Sequence, residues 1–224
     1  MTAPFRYDVV EMSTEEIEAE REVFGGLAQS IRELAEASLR TTIDPEAADQ
    51  VRHEIEALTE RLRAAQIPGS FGVQLTSGGT VRGHGNAVVG LRNPVAVPLE
   101  IERTGDGRAR SEFVLNALYE GPPTMVHGGV IALVLDQVFG EAAADGGTPG
   151  MTGTLTLRYR KNTPLGKCSA EAWIDRREGV KTFVRGVMRD ADGETTVEAE
   201  GVFILPRWAR EALQRHESAP PRFE

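Results

Sequence analysis

Asp136 stands midway along Met125 to Ala144, MVHGGVIALVLDQVFGEAAA, a stretch that is apolar on nearly every side. A helix hydrophobic all round is a buried helix, and a buried carboxylate is costly unless it is hydrogen-bonded, paired or protonated. The segment opens on His127-Gly128-Gly129, whose small residues leave the amides of a helix start open to a ligand oxygen. These residue types supply two catalytic parts, an oxyanion hole and a carboxylate base. A donor aimed at a developing oxyanion is worth about 3 to 4 kcal/mol. A positioned base adds roughly 10²- to 10⁴-fold, most effectively when desolvation raises its pKa towards neutrality.

Spacing decides how the two parts can combine. His127 and Asp136 are nine residues apart, which on a straight helix is about 13 to 14 Å along the axis and puts them on roughly opposite faces. One helix cannot aim both at one carbonyl. If both serve one reaction, the amide and the carboxylate come from different copies of the helix, and two-fold symmetry supplies that most simply. The sequence therefore predicts a homodimer with two shared sites, or a dimer of such dimers.

The elements that must position these residues are legible from periodicity. Ser13 with Glu16 forms a capping box, followed by Ile17, Phe24, Leu27, Ile31 and Leu34 at helical spacing, with Gly25-Gly26 as a weak point. Asp44 caps a second helix with Pro45 at its first position, and Ala48, Val51, Ile55, Leu58, Leu62 and Ala65 step by threes and fours up to Pro68-Gly69. Residues 1–67 thus read as a helical extension of two helices whose apolar stripes need each other, the next domain or a second subunit. Residues 68–97 are glycine-rich and read as a linker and lead-in with short strands. Leu99 to Arg103 and Arg108 to Leu115 flank the turn Thr104-Gly105-Asp106-Gly107. After the apolar helix, Leu155, Leu157 and Tyr159 alternate with Thr154, Thr156, Arg158 and Arg160. Three further strands, about 168–175, 179–190 and 195–205, are joined too tightly for helical crossovers, so the sheet is mostly antiparallel. The reading is α+β: an antiparallel sheet wrapped round a long central helix over 98–206, with a short helix at Trp208 to His216 and a tail completing 207–224.

Composition bounds the partners. The 224 residues are 40% hydrophobic and 26% charged, a soluble globular profile, and the net charge of -9 argues against nonspecific binding to nucleic acid or an anionic membrane. Any anionic ligand must meet a local basic cluster, and Arg158, Arg160, Lys161 and Lys167 form the densest one. A lone Cys168 cannot form an internal disulfide, and no run is long enough to span a bilayer. The first residues lack a signal pattern, so a cytoplasmic location is expected. His53, His84, His127 and His216 show no paired spacing, so no metal site is expected.

The run Tyr119-Glu120-Gly121-Pro122-Pro123-Thr124-Met125-Val126-His127-Gly128-Gly129, with Asp136 and Gly140 beyond it, resembles the signature of hotdog-fold acyl-coenzyme A thioesterases of the phenylacetate-pathway and THEM-like kind. Gly90-Leu91-Arg92-Asn93-Pro94 resembles the lead-in of that family, and Met151-Thr152 with Leu157-Arg158-Tyr159-Arg160 resembles the strand after its helix. The likeness covers roughly residues 88–205 and leaves the N-terminal helices outside. It implies a hotdog fold and hydrolysis of acyl-coenzyme A with no cofactor beyond the coenzyme A of the substrate. It assigns the Gly128 amide, within His127-Gly128-Gly129, to the thioester oxygen, and Asp136 of the neighbouring subunit to the base or nucleophile. Thr152 falls where relatives carry a Ser or Thr near the attacking water. Tyr159, Arg160 and Lys161, with Lys181 as a further cation, fall near the nucleotide end of coenzyme A. Where some relatives place an Asn or Gln ahead of the HGG, this chain has Gly121-Pro122-Pro123.

Each residue also has a plainer role. His127 can be structural, Asp136 a buried carboxylate bonded to a partner helix, Thr152 an ordinary strand threonine, the basic run a solvated strand face, and Cys168 a small hydrophobe. Gly140 costs about 1 kcal/mol against alanine inside a helix, which a close helix approach at a dimer axis would explain. The competing functional class is a hotdog module that holds acyl-coenzyme A without turnover and signals through the N-terminal helices.

Overall fold

The computed structural model describes residues 8–76, 81–97 and 99–206. Helix α1, Thr14–Glu20, begins at the expected capping box: the Ser13 hydroxyl accepts from the Glu16 amide and the Glu16 carboxylate accepts from the Ser13 amide. It runs through one π-helical turn, Arg21–Gly25, into α2, Gly26–Arg40. The glycine pair expected to weaken the rod marks this wider turn. Gly25 lies close against Leu91, since a Cβ there would come 2.9 Å from Leu91 Cδ1 and displace the end of that side chain. Helix α3, Pro45–Arg63, starts at its expected cap, with the Asp44 carboxylate accepting from the Ala47 amide at 2.9 Å.

The helices do not pack as a hairpin. Thr41 and Asp44 are extended, and α3 leaves the body with Val51, Leu58 and Leu62 exposed. On the other side, α2 packs on the 3-10 turn Ala117–Tyr119, and Glu20 at the end of α1 pairs with Arg82 of a small sheet in which β1, Asp8–Val10, runs parallel to β2, Gln74–Thr76, and β2 pairs antiparallel with β3, Val81–Arg82. The glycine-rich lead-in therefore contributes two strands of this sheet and the Arg82 that holds the end of α1.

The main sheet is six-stranded and wholly antiparallel. Its strands are β4, Glu102–Arg103; β5, Arg108–Leu115; β6, Met151–Tyr159; β7, Gly166–Glu178; β8, Lys181–Arg189; and β9, Thr195–Ile204, in the order β4-β5-β7-β8-β9-β6. The predicted strand from Leu99 is laddered only at Glu102–Arg103, although Leu99 and Ile101 still pack on the core. The predicted helix Trp208 to His216 lies outside the described residues.

The sheet wraps helix α4, Gly128–Asp145. Ile131, Val134, Leu135, Val138, Phe139 and Ala142 of α4 are buried against Phe113, Leu115, Val184, Met188, Val197 and Phe203 of the sheet. Each large side chain so buried stabilises the fold by about 1.5 to 3 kcal/mol. This is the expected α+β hotdog arrangement, with one correction. The helix is not buried all round within a single chain: Gly129 and Leu133 are exposed, and Asp136, Gln137 and Gly140 are half-buried. That open face borders β6, the outer strand of the sheet, most of whose residues are exposed.

Candidate active site

His127 is the N-cap of α4. Its Nδ1 accepts from the Gly129 amide at 3.0 Å, so the ring and the Gly129 N–H are spent on each other. The His127 and Gly129 roles are thus concentrated in building the helix start. The Gly128 amide is different: among the described residues it has no acceptor, while its carbonyl accepts from the Tyr159 hydroxyl at 2.9 Å. An unclaimed N–H at a helix start is the group that can meet an oxyanion.

The loop before the helix fixes this geometry. Glu120 bridges Val126, the Gly121 amide donates to the Met125 carbonyl, and the Glu120 carboxylate accepts from the Thr124 amide at 2.6 Å. Thr124 sits at φ 66, the left-handed region, which that bond helps to hold. A Cβ at Gly121 would lie 2.8 Å from His127 Cα, so only glycine lets the loop pass beneath the histidine.

Asp136 lies on the open face of α4, and its Oδ1 accepts from the Thr152 hydroxyl at 2.7 Å. Strict alternation along β6 would turn Thr152 to the outer face with Thr154 and Thr156. A bulge at Gly153 prevents this: Thr152 pairs with Phe203 but Thr154 pairs with Val202, so the extra residue resets the parity and points Thr152 at the helix. The two side chains line a cleft of about 390 Å³ between α4 and the start of β6, whose other walls include Gln137, Gly140, Glu141 and Met151. A larger hollow of about 690 Å³ lies over β4, β5 and β7. Its charges pair with one another, Arg110 with Glu102 and Arg189 with Glu171, and the catalytic candidates lie elsewhere, so the smaller cleft is the relevant one.

Polar groups beside Asp136 escaped the sequence reading. Gln137 donates to Glu141 at 2.7 Å, Asn86 donates to Gln137 at 3.4 Å, and Glu141 is paired with Arg103. The available signal was the recurrence of polar or small residues at 136, 137, 140, 141 and 144, which is a helix face rather than one isolated charge.

The cations expected near coenzyme A do not form one cluster. Arg160 pairs with Glu198 at 2.7 Å and Lys161 with Asp190 at 2.9 Å, both near the β8–β9 turn. Lys181 begins β8 at the opposite end of the sheet, about 27 Å away along the strand. The Lys161 pair, with the Glu194 and Asp192 amides donating to the same carboxylate, holds the Asp190 carboxyl below its usual range against some desolvation. Burial, with the Asp190 charge adding to it, pushes the Cys168 thiol up to about 11, the condition of an inert core thiol.

The Thioesterase superfamily profile matches residues 124–197. The crystal structure of a thioesterase superfamily protein, 32% identical, superimposes with a TM-score of 0.72 over 81% of this chain and 90% of that one. The chain belongs to the thioesterase superfamily. Among curated members, acyl-coenzyme A thioesterase THEM4 of Mus musculus is 34% identical over 87 residues, 38% of this chain and 37% of that protein. THEM4 of Xenopus laevis is 37% identical over 90 residues, 38% of this chain and 39% of its own length. The chain thus spans under two fifths of these superfamily members, while the solved relative is matched far beyond the hotdog sheet. No helix among the described residues is long and apolar enough to cross a membrane.

Proposed function

We propose that this protein hydrolyses acyl-coenzyme A thioesters to free acid and coenzyme A at a site shared by two copies of the chain. The observation that carries the reading is the division of labour on α4. The unclaimed Gly128 amide and the Asp136 carboxylate are eight residues apart on one helix, about 12 Å along its axis, so the carboxylate that serves a given Gly128 belongs to the partner copy. The open α4 face and the bare β6 edge are where that copy docks, and its arrival desolvates Asp136 further. The names of the curated relatives support acyl-coenzyme A as the substrate class.

In the proposed reaction, the thioester oxygen accepts from the Gly128 N–H, which stabilises the negative charge that develops as the carbonyl carbon turns tetrahedral. Asp136 of the partner either takes a proton from water as water attacks or attacks the carbon itself, and Thr152 holds its carboxylate in aim. Collapse expels the coenzyme A thiolate, giving the free acid directly when water has attacked, or an Asp136 anhydride that a second-step water hydrolyses to free acid and carboxylate. Arg160 is placed to exchange Glu198 for a substrate phosphate, since an exposed ion pair of this kind is worth about 0 to 1 kcal/mol, while Lys161 can reach a phosphate beside its more buried Asp190 partner.

The test is thiol release from a panel of acyl-coenzyme A substrates by the wild-type chain and Asp136→Asn. The variant should stay folded and lose roughly 10²- to 10⁴-fold in rate. Equal rates reject the catalytic role of Asp136, and tight binding of acyl-coenzyme A with no thiol release by the wild-type protein favours the non-catalytic module.

A further inference from the structure

Helix α3 carries a seam with nothing on it. Ala48, Val51, Ile55, Leu58 and Leu62 of α3 recur at spacings of three and four, the narrow stripe of a helix that packs along another helix. Val51 is 39% exposed, and Leu58 and Leu62 are each 50% exposed. Among the described residues, no element packs extensively against α3. A polar helix of this length is marginal in water without a partner for its apolar stripe.

The charges flanking the seam say what the partner is. Arg52 is spent on Asp49 and Glu56, His53 on Asp49, and Arg63 on Glu60, all within the helix. Glu54 and Arg61 make no such pair among the described residues, and both border the same side of the seam. If a second α3 is laid antiparallel about a two-fold axis near residues 56 and 57, Val51 falls opposite Leu62 and Ile55 opposite Leu58. In that same register Glu54 meets Arg61 of the other helix, twice by symmetry. A parallel pair would set Glu54 beside Thr59 and Arg61 beyond the end of the partner helix, leaving both charges without a counterpart. The stripe and the two unspent charges are therefore self-complementary in one orientation only, which is the property of an isologous contact.

We propose that α3 pairs antiparallel with α3 of a second copy of this chain, through Val51, Ile55, Leu58 and Leu62 with reciprocal Glu54–Arg61 pairs. The contact is separate from the α4 and β6 face and adds to it, because under three heptads of seam make an auxiliary interface rather than a sufficient one.

Cross-linking reads the orientation. Val51→Cys and Leu62→Cys chains, distinguishably tagged, are oxidised after co-expression and also after separate expression; the buried Cys168 keeps the background low. A covalent dimer should form chiefly in the co-expressed sample, since only the antiparallel register opposes 51 and 62. Equal self-cross-linking of each variant alone would mean parallel pairing, and no cross-link in any sample would mean that the seam is covered by something other than a second copy. Either result overturns the proposal. Analytical ultracentrifugation of the full chain supplies the second reading: Leu58→Asp should weaken self-association at least tenfold, and Glu54→Arg should weaken it by a smaller factor that adding Arg61→Glu restores. Unchanged association of Leu58→Asp overturns it. Neither readout involves thioester hydrolysis, so failure here leaves the proposed reaction standing, and failure of that reaction leaves this contact standing.

Discussion

At the scale of the residue, what distinguishes Asp136 is its one bond. A carboxylate on an open helix face is free to rotate, and a rotating base wastes most of its encounters with water. The Thr152 hydroxyl, 2.7 Å away, removes that freedom. A hydrogen bond to a charged group is worth about 1.5 to 3 kcal/mol, so its loss from a transition state in which Asp136 acts corresponds to roughly a 10- to 100-fold fall in kcat/KM. Thr152→Val is therefore expected to lose activity on that scale and to lose no more thermal stability than that one bond supplies, and Thr152→Ser to recover most of both. A valine variant as fast as wild type would reduce Thr152 to a strand residue. His127 illustrates a different economy. Its ring caps the helix, accepting from the Gly129 amide, and leaves the neighbouring Gly128 amide without an acceptor among the described residues.

At the scale of the element, the central helix and the sheet are fitted through one aromatic ring. Phe139 is fully buried, and it sits over glycines of two adjacent strands: a Cβ at Gly186 would lie 2.4 Å from Phe139 Cε1 and 2.4 Å from the Glu171 carbonyl oxygen, and one at Gly201 would lie 2.9 Å from Phe139 Cδ2. Forcing an extra methyl into a packed core costs typically about 1 to 3 kcal/mol. Gly186→Ala is expected to lower the denaturation midpoint accordingly, and Phe139→Leu to relieve part of that loss by vacating the niche. A Gly186→Ala protein of wild-type stability would show that the sheet yields there at no cost. The same scale shows what the sequence makes legible. Strand β5 matches its predicted limits and helix α3 its predicted start, because alternation, caps and turn glycines are local signals, while α3 stops at Arg63, short of the Ala65 of its predicted stripe. The Gly153 bulge was not legible: one inserted residue reverses the facing of Thr152 without altering composition, and only pairing with β9 reveals it. The open face of α4 was missed for a related reason. Hydropathy reports that a surface is to be covered, not whether its own chain covers it.

At the scale of the whole molecule, the N-terminal helices are fastened to the body by buried charge rather than by a wide apolar contact. Glu20 accepts from Arg82 at 3.0 Å and from Arg92 at 3.3 Å, His84 lies 3.4 Å from the same carboxylate, and the Arg92 guanidinium stacks 3.5 Å over Phe24. Desolvation alone would raise the Glu20 pKa, but the bonds and charges of Arg82 and His84 outweigh it and hold the carboxyl below its usual range. Burial lowers the pKa of His84, with Arg82 and Arg92 adding to the effect and Glu20 opposing it. Both shifts act in one direction. A histidine held below its ordinary 6.5 resists protonation in the folded state, so its contribution declines as pH falls below that value. A carboxyl held below its ordinary 4.5 stabilises the fold above that pH, and this is lost as pH falls through the folded value. Acidification from neutrality is therefore expected to loosen α1 and α2 before the hotdog sheet, since the sheet is held to α4 mainly by its apolar core, with Arg103–Glu141 as an added charge pair. Hydrogen-exchange protection, corrected for the intrinsic pH dependence of exchange, should fall first in peptides spanning 14–40. Glu20→Gln should show weakened protection there already at neutral pH and a flatter response to acid, because its amide keeps the shape of the carboxylate but not its charge against two arginines. Loss of protection in the sheet and the helices together, or a wild-type response in Glu20→Gln, would show that the fastening is apolar after all.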